Sequence, residues 1–133
     1  MQIVSTVIAR PVDACWQTFT DPTALVRWVP GLRDAATIEA RPDGLAAEVQ
    51  FVFGADLVYS LQYSYDVNAR VVRWKPRPGE HGAVRGFARF EPVDGGTQLT
   101  YALEHEQGRK ALDRAIDHPR TLVDAFARLM YDS

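Results

Sequence analysis

The chain is poor in the residues that build metal centres and covalent staples. It has one cysteine, Cys15, and three histidines in 133 residues. A single thiol cannot close an intramolecular disulfide, which fits a reducing, cytoplasmic setting. His81, His105 and His118 are scattered and share no metal-ligand spacing with Cys15, so neither a metal nor any other cofactor is expected. No apolar run approaches the ~18 residues that a membrane-spanning helix needs. The first six residues, Met1 to Thr6, lack a charged segment ahead of an apolar one, so no signal peptide is expected. Nor is there an excess of one charge: 15 basic against 17 acidic residues give a net charge of −2. Nucleic acid and anionic membranes, which call for a basic surface, are thereby disfavoured as partners. Gly79, Gly82, Gly95 and Gly96 do not fall between a strand and a helix in the frame of a phosphate loop. Internal repeats, low-complexity tracts and dividing linkers are absent too, and the length suits one domain spanning 1–133.

What is present is a steady supply of apolar residues, 47% of the chain, in periodic patterns. Residues 3–9 read as a strand. Pro11 then opens a helix on which Val12, Trp16 and Phe19 share a face, with Cys15 at its flank. Asp21 and Pro22 suit the cap and first turn of a second short helix, which Trp28-Val29-Pro30-Gly31 ends. A ladder of strands follows over 35–41, 45–53, 57–66, 71–75, 84–91 and 97–105. Turns at Pro42-Asp43-Gly44, Asn68-Ala69 and Asp94-Gly95-Gly96 punctuate it. Alternation sets Phe51, Phe53, Tyr59, Leu61, Tyr63, Tyr65, Trp74, Tyr101, Leu103 and His105 on one face. Glu48, Gln50, Gln62 and Ser64 fall on the other. Residues 109–131 carry a helical stripe of Leu112, Ala115, Ile116, Leu122, Val123, Phe126, Leu129 and Met130, which Pro119 either kinks or restarts. The hairpin-length connections make the sheet antiparallel with one dry face, and only the last helix is long enough to cover that face. The fold class is α+β.

Three patches carry a family resemblance. Pro11 to Pro30 has a helix with Trp16 near its middle, then Asp21-Pro22, then Trp28-Val29-Pro30. Val71-Val72-Arg73-Trp74-Lys75 is a strand ending in tryptophan. Gly86 to Tyr101 contains Phe90-Glu91-Pro92-Val93-Asp94-Gly95-Gly96-Thr97. Together they resemble the START-like (SRPBCC, birch-pollen-allergen-like) superfamily, in its polyketide cyclase/dehydrase branch. The resemblance implies a helix-grip fold: a curved seven-stranded antiparallel sheet around a long C-terminal helix, with two short helices after the first strand. It also implies an internal cavity for a small hydrophobic molecule, such as a lipid, an isoprenoid quinone or a polyketide-like compound. The loop 28–33 and the breaker-rich loop 76–82 would gate that cavity, with Trp28, Pro30 and Leu32 at the entrance.

On this reading Phe51, Phe53, Tyr59, Leu61, Tyr63, Trp74, Tyr101, Leu103, His105, Ile116, Leu122 and Phe126 line the ligand site. Tyrosines of this number on one dry face exceed what a plain core wants, since a buried hydroxyl needs a partner. An enzymatic alternative, a polyketide aromatase/cyclase or dehydratase, would rest on Tyr59, Tyr63, Tyr101 and His105. His105 is read first as an ordinary histidine at a strand end, near solvent or hydrogen-bonded structurally. A second alternative is a protein-interaction module with a collapsed cavity and an exposed apolar patch near Trp28 to Leu32. Cys15 reads as a packed side chain rather than a nucleophile. Arg85 and Arg89, with Arg73 and Lys75, make a basic stripe on the wet face, where Glu91 and Glu104 favour an ordinary solvated charged surface. Monomer and homodimer are both compatible with the sequence.

Overall fold

The structure is a computed structural model that describes residues 2–54, 57–79, 85–104 and 119–132. The elements run β1 (Gln2–Ile8), α1 (Val12–Phe19), α2 (Pro22–Trp28), β2 (Asp34–Ala40), β3 (Ala46–Gly54), β4 (Leu57–Asp66), β5 (Val71–Pro76), β6 (Arg85–Val93), β7 (Gly96–Glu104) and α3 (Pro119–Asp132). All seven strands join one antiparallel sheet in the order β1-β7-β6-β5-β4-β3-β2. The order follows from the turns: each hairpin from β2 to β7 lays the next strand beside the last. β1 alone pairs out of sequence, with Val4 opposite Tyr101 on β7. The expected helix-grip architecture, with two short helices after the first strand, is what the chain forms.

The helices start where the sequence puts their signals. Pro11 precedes the first turn of α1, and the Asp21 side chain accepts from the Thr23 N–H at 3.0 Å to cap α2. α3 is described from Pro119 onward. Residues 109–118, where the sequence pattern starts this helix, lie outside the described residues.

α3 packs beside β1 and across the dry face. Leu122, Val123, Phe126, Leu129 and Met130 are all buried, so the stripe is one face of one helix. Its end is tied to the β1–α1 junction. The Ala9 N–H donates to the Tyr131 hydroxyl at 3.2 Å, and the Arg10 guanidinium donates to the Met130 carbonyl at 2.9 Å. Phe19 sits at the heart of the core. It packs against Trp28, Phe90 and Phe126 with ring centroids 5.1–5.4 Å apart. These are the close offset and edge-on arrangements that aromatic rings prefer.

Candidate ligand-binding site

Between the dry face of the sheet and the helices lies a small internal cavity of about 50 Å³. β3 supplies Phe51 and Phe53, β4 supplies Tyr59, Leu61 and Tyr63, β5 supplies Trp74, and β7 supplies Tyr101 and Leu103. Phe19, Leu25, Trp28, Val29 and Leu122 close it from the helical side. Period-two alternation is the reason the strand residues converge, since every second side chain of a strand faces the same way. Phe51 and Phe53 both stack on Tyr59, at 5.6 and 5.7 Å, and Trp74 lies 5.3 Å from Tyr101. The walls are therefore flat aromatic rings braced against one another.

Three polar groups are set into this apolar lining. The Trp28 Nε1–H is buried without an acceptor. The hydroxyls of Tyr63 and Tyr101 make no hydrogen bond among the described residues. By contrast, the half-buried Tyr65, outside the cavity, donates its hydroxyl to the Ala46 carbonyl at 2.6 Å. Burial pushes the Tyr63 phenol well above its ordinary value, and its neighbours Tyr65, Tyr101 and Tyr59 add to the shift. Burial raises Tyr101 likewise, with Tyr59 contributing. Both phenols are thus neutral and protonated through the physiological range, which makes them donors rather than general bases.

The sequence-expected residues separate into groups. Phe51, Phe53, Tyr59, Leu61, Tyr63, Trp74, Tyr101, Leu103 and Leu122 come together around the cavity. Phe126 does not line it: one turn beyond Leu122 on α3, its fully buried ring packs against Phe19 at 5.4 Å and Trp28 at 5.3 Å, which stand between it and the void. His105 and Ile116 lie outside the described residues, as do His81 and His118. Trp28 is 5% exposed and is part of the cavity wall rather than an exposed lid, while Leu32, 7% exposed, packs into the core. Pro30 stays half-buried on a separate outer groove of about 450 Å³ between α2 and α3, which Trp28 and Val29 also border. Phe19, Leu25 and Val29 are wall residues that sequence reasoning misses. Phe19 is on the apolar face of its helix with Trp16, but the pattern says only that this face is dry, not that it meets a void.

Cys15 is fully buried, and burial raises its thiol above the ordinary value, so it is packed and inert. Among the described residues no group of three or more His, Cys, Asp or Glu is placed to hold a metal ion, and no helix is long and apolar enough to cross a membrane.

A family model described as polyketide cyclase/dehydrase and lipid transport matches residues 2–130. Among solved structures, the fold is similar to a START superfamily protein from Mycobacterium smegmatis, with a TM-score of 0.77 at 12% identity over 98% of this chain and 97% of that one. A protein from Thermus thermophilus aligns with a TM-score of 0.74 at 16% identity over 98% of both chains. The di-domain ARO/CYC StfQ from the steffimycin biosynthetic pathway aligns with a TM-score of 0.71 at 18% identity over 96% of this chain and 44% of that longer one. At such identities these likenesses speak to fold alone. A search of curated proteins found no match.

Proposed function

The chain belongs to the polyketide cyclase/dehydrase and lipid transport family, and from that premise we propose that it binds a small, flat, hydrophobic molecule carrying a hydrogen-bond acceptor, such as a quinone or polyketide-like carbonyl compound. The observation that carries this reading is the buried Trp28 Nε1–H, left without an acceptor in the wall of an aromatic cavity that Tyr63 and Tyr101 also line. A buried donor without an acceptor costs about 1–3 kcal/mol, so a ligand carbonyl placed there recovers energy the free protein forgoes. An indole N–H can only donate, which selects acceptors over amines or alcohols that must themselves donate. The flat rings supply apolar contact at about 25 cal/mol per Å² of surface buried.

The cavity is closed down to about 50 Å³. Small-molecule pockets run to roughly 300–1,000 Å³, so binding must enlarge it. The wall that gives is Trp28 and Val29, which border the cavity on one side and the 450 Å³ groove between α2 and α3 on the other. In the cyclase alternative Tyr63 and Tyr101 would serve as hydrogen-bond donors rather than bases, since burial raises both phenols. The interaction-module alternative calls for a collapsed cavity, which an interior of about 50 Å³ meets, and for an exposed apolar patch at Trp28 and Leu32, which are both buried.

Native mass spectrometry of freshly purified protein, with titration of a naphthoquinone followed by tryptophan quenching, tests the proposal. A retained apolar carbonyl compound, or saturable quenching that Trp28→Phe weakens severalfold, supports it. No retained molecule together with no saturable quenching overturns it.

A further inference from the structure

We propose a second binding site, for a small organic oxyanion such as a phosphate ester or a di- or tricarboxylate, on the opposite face of the same sheet. β3 to β7 leave an open groove there of about 670 Å³, far larger than the internal cavity. Its centre holds Arg73 and Lys75 on β5 and Arg85 on β6. Arg73 stands opposite Phe87 and Trp74 opposite Gly86, so the same register carried one residue further sets Lys75 beside Arg85. Side chains two apart on a strand are about 7 Å apart and neighbouring strands about 5 Å apart, so the three cations form a compact triangle.

All three are exposed, and none makes an ion pair or hydrogen bond among the described residues. The contrast with the rest of the surface is direct. Arg89, on the same face of β6, is tied to Glu91 at 3.0 Å. Glu48, 6% exposed in the groove wall, accepts from Gln62 Nε2 at 3.3 Å through Oε1, while its Oε2, buried without a hydrogen bond, faces the Arg77 guanidinium at 3.7 Å. Arg85 is opposite Glu104 in register, yet the two side chains form no ion pair. Glu104 on β7 stands directly across from Arg85, at the edge of the cation triangle, whereas Glu39 on β2 is three strands away from β5. Like charges directly opposite on neighbouring strands destabilise a sheet. A bound oxyanion removes that repulsion and takes charge-assisted hydrogen bonds from two guanidinium forks and an ammonium. Phe87, half-buried beside Arg73, offers an apolar surface to the carbon skeleton, which favours an organic anion over a bare ion.

Tyr63 and Trp74 border both this groove and the internal cavity, and one experiment tells binding at the two sites apart. Citrate, glucose phosphate and inorganic phosphate are titrated at low ionic strength. Binding is followed by amide chemical shifts and by the unfolding temperature. The expected result is saturable shifts on β5 and β6 around Arg73, Lys75 and Arg85, with the organic anions tighter than inorganic phosphate. Lys75→Gln with Arg85→Gln weakens binding at least tenfold and removes the anion-dependent rise in unfolding temperature, while Arg89→Gln leaves both intact. The double variant unfolds no earlier than the wild type, since it loses a repulsion. Naphthoquinone quenching persists in it if the internal site is real. Equal anion binding by the double variant, or no saturable shift with any of the three anions, overturns the proposal.

Discussion

Trp74 lies against Gly86, its partner across the β5–β6 ladder: a β-carbon added at Gly86 would meet the tryptophan ring at 3.1 Å and drive into the Ala102 carbonyl. The bare backbone of β6 is thus the seat of a cavity wall. Gly86→Ala is expected to cost about 1–3 kcal/mol, the usual range for overpacking. It also displaces Trp74 from Tyr101. Denaturant unfolding gives the first quantity, and the near-ultraviolet circular dichroism of the Trp74–Tyr101 pair reports the second. An unchanged near-ultraviolet spectrum would contradict the assignment of Trp74 to this seat.

Trp28 gives an asymmetric prediction. Trp28→Phe removes an unpaired buried donor and some packing together, and the two effects oppose each other. The free protein is expected to lose less than ~1.5 kcal/mol, well under the 3–5 kcal/mol typical of truncating a buried aromatic to alanine. Quinone affinity is expected to fall more than stability does. Parallel denaturant and quenching titrations compare the two, and equal losses would mean that Nε1 has no ligand-facing role.

Tyr63 and Tyr101 make stability depend on alkaline pH. Their folded values lie above the ordinary tyrosine value of 10.0. The unfolded chain therefore releases these protons first. The stability held by the neutral phenols is complete below pH 10 and is lost as pH climbs above it. Unfolding free energy should stay level with respect to these two groups up to that point and then fall. Tyr63→Phe with Tyr101→Phe makes the descent shallower, and Tyr65, also raised by burial, sustains the remainder. Phenolate absorbance in the ultraviolet should show both groups ionising only as the chain unfolds.

Arg70 holds a left-handed backbone at φ 53° while its guanidinium reaches Asp13 on α1 at 2.7 Å. The strain costs of order 1 kcal/mol for a residue with a β-carbon. The exposed ion pair returns about 0.2–1 kcal/mol. Arg70→Gly relieves the first and loses the second, so it should be close to neutral. Arg70→Ala keeps the strain and loses the pair, so it should be the less stable variant. Thermal melts of the two rank them, and the reverse order would refute the accounting.

Much of this fold is written in local pattern. The period-two alternation of Leu57 to Tyr65 fixed which side chains face the helix, and Asp21-Pro22 fixed where α2 begins. The charged face was legible as well: Arg73, Lys75, Arg85 and Arg89 were set on the wet side by parity alone. Which of them is committed was not. Arg89 finds Glu91 two residues along its own strand, whereas the freedom of the other three depends on where Glu39, Glu48 and Glu104 end up. Glu48 falls on the polar face by alternation, yet it is buried, because Arg77 beyond the end of β5 comes to lie near it.

The sequence by itself determined the order of elements, the dry face and the strand residues of the wall, because burial periodicity and turn chemistry are properties of neighbours along the chain. Only the tertiary structure decided that Phe126 fills the core while Trp28 borders the void, that a buried indole N–H goes unanswered, and that the interior closes to about 50 Å³. The physical reason is that a void is the remainder after helices and sheet have packed. Its size depends on differences of a few ångströms between elements distant in sequence, which no local pattern encodes.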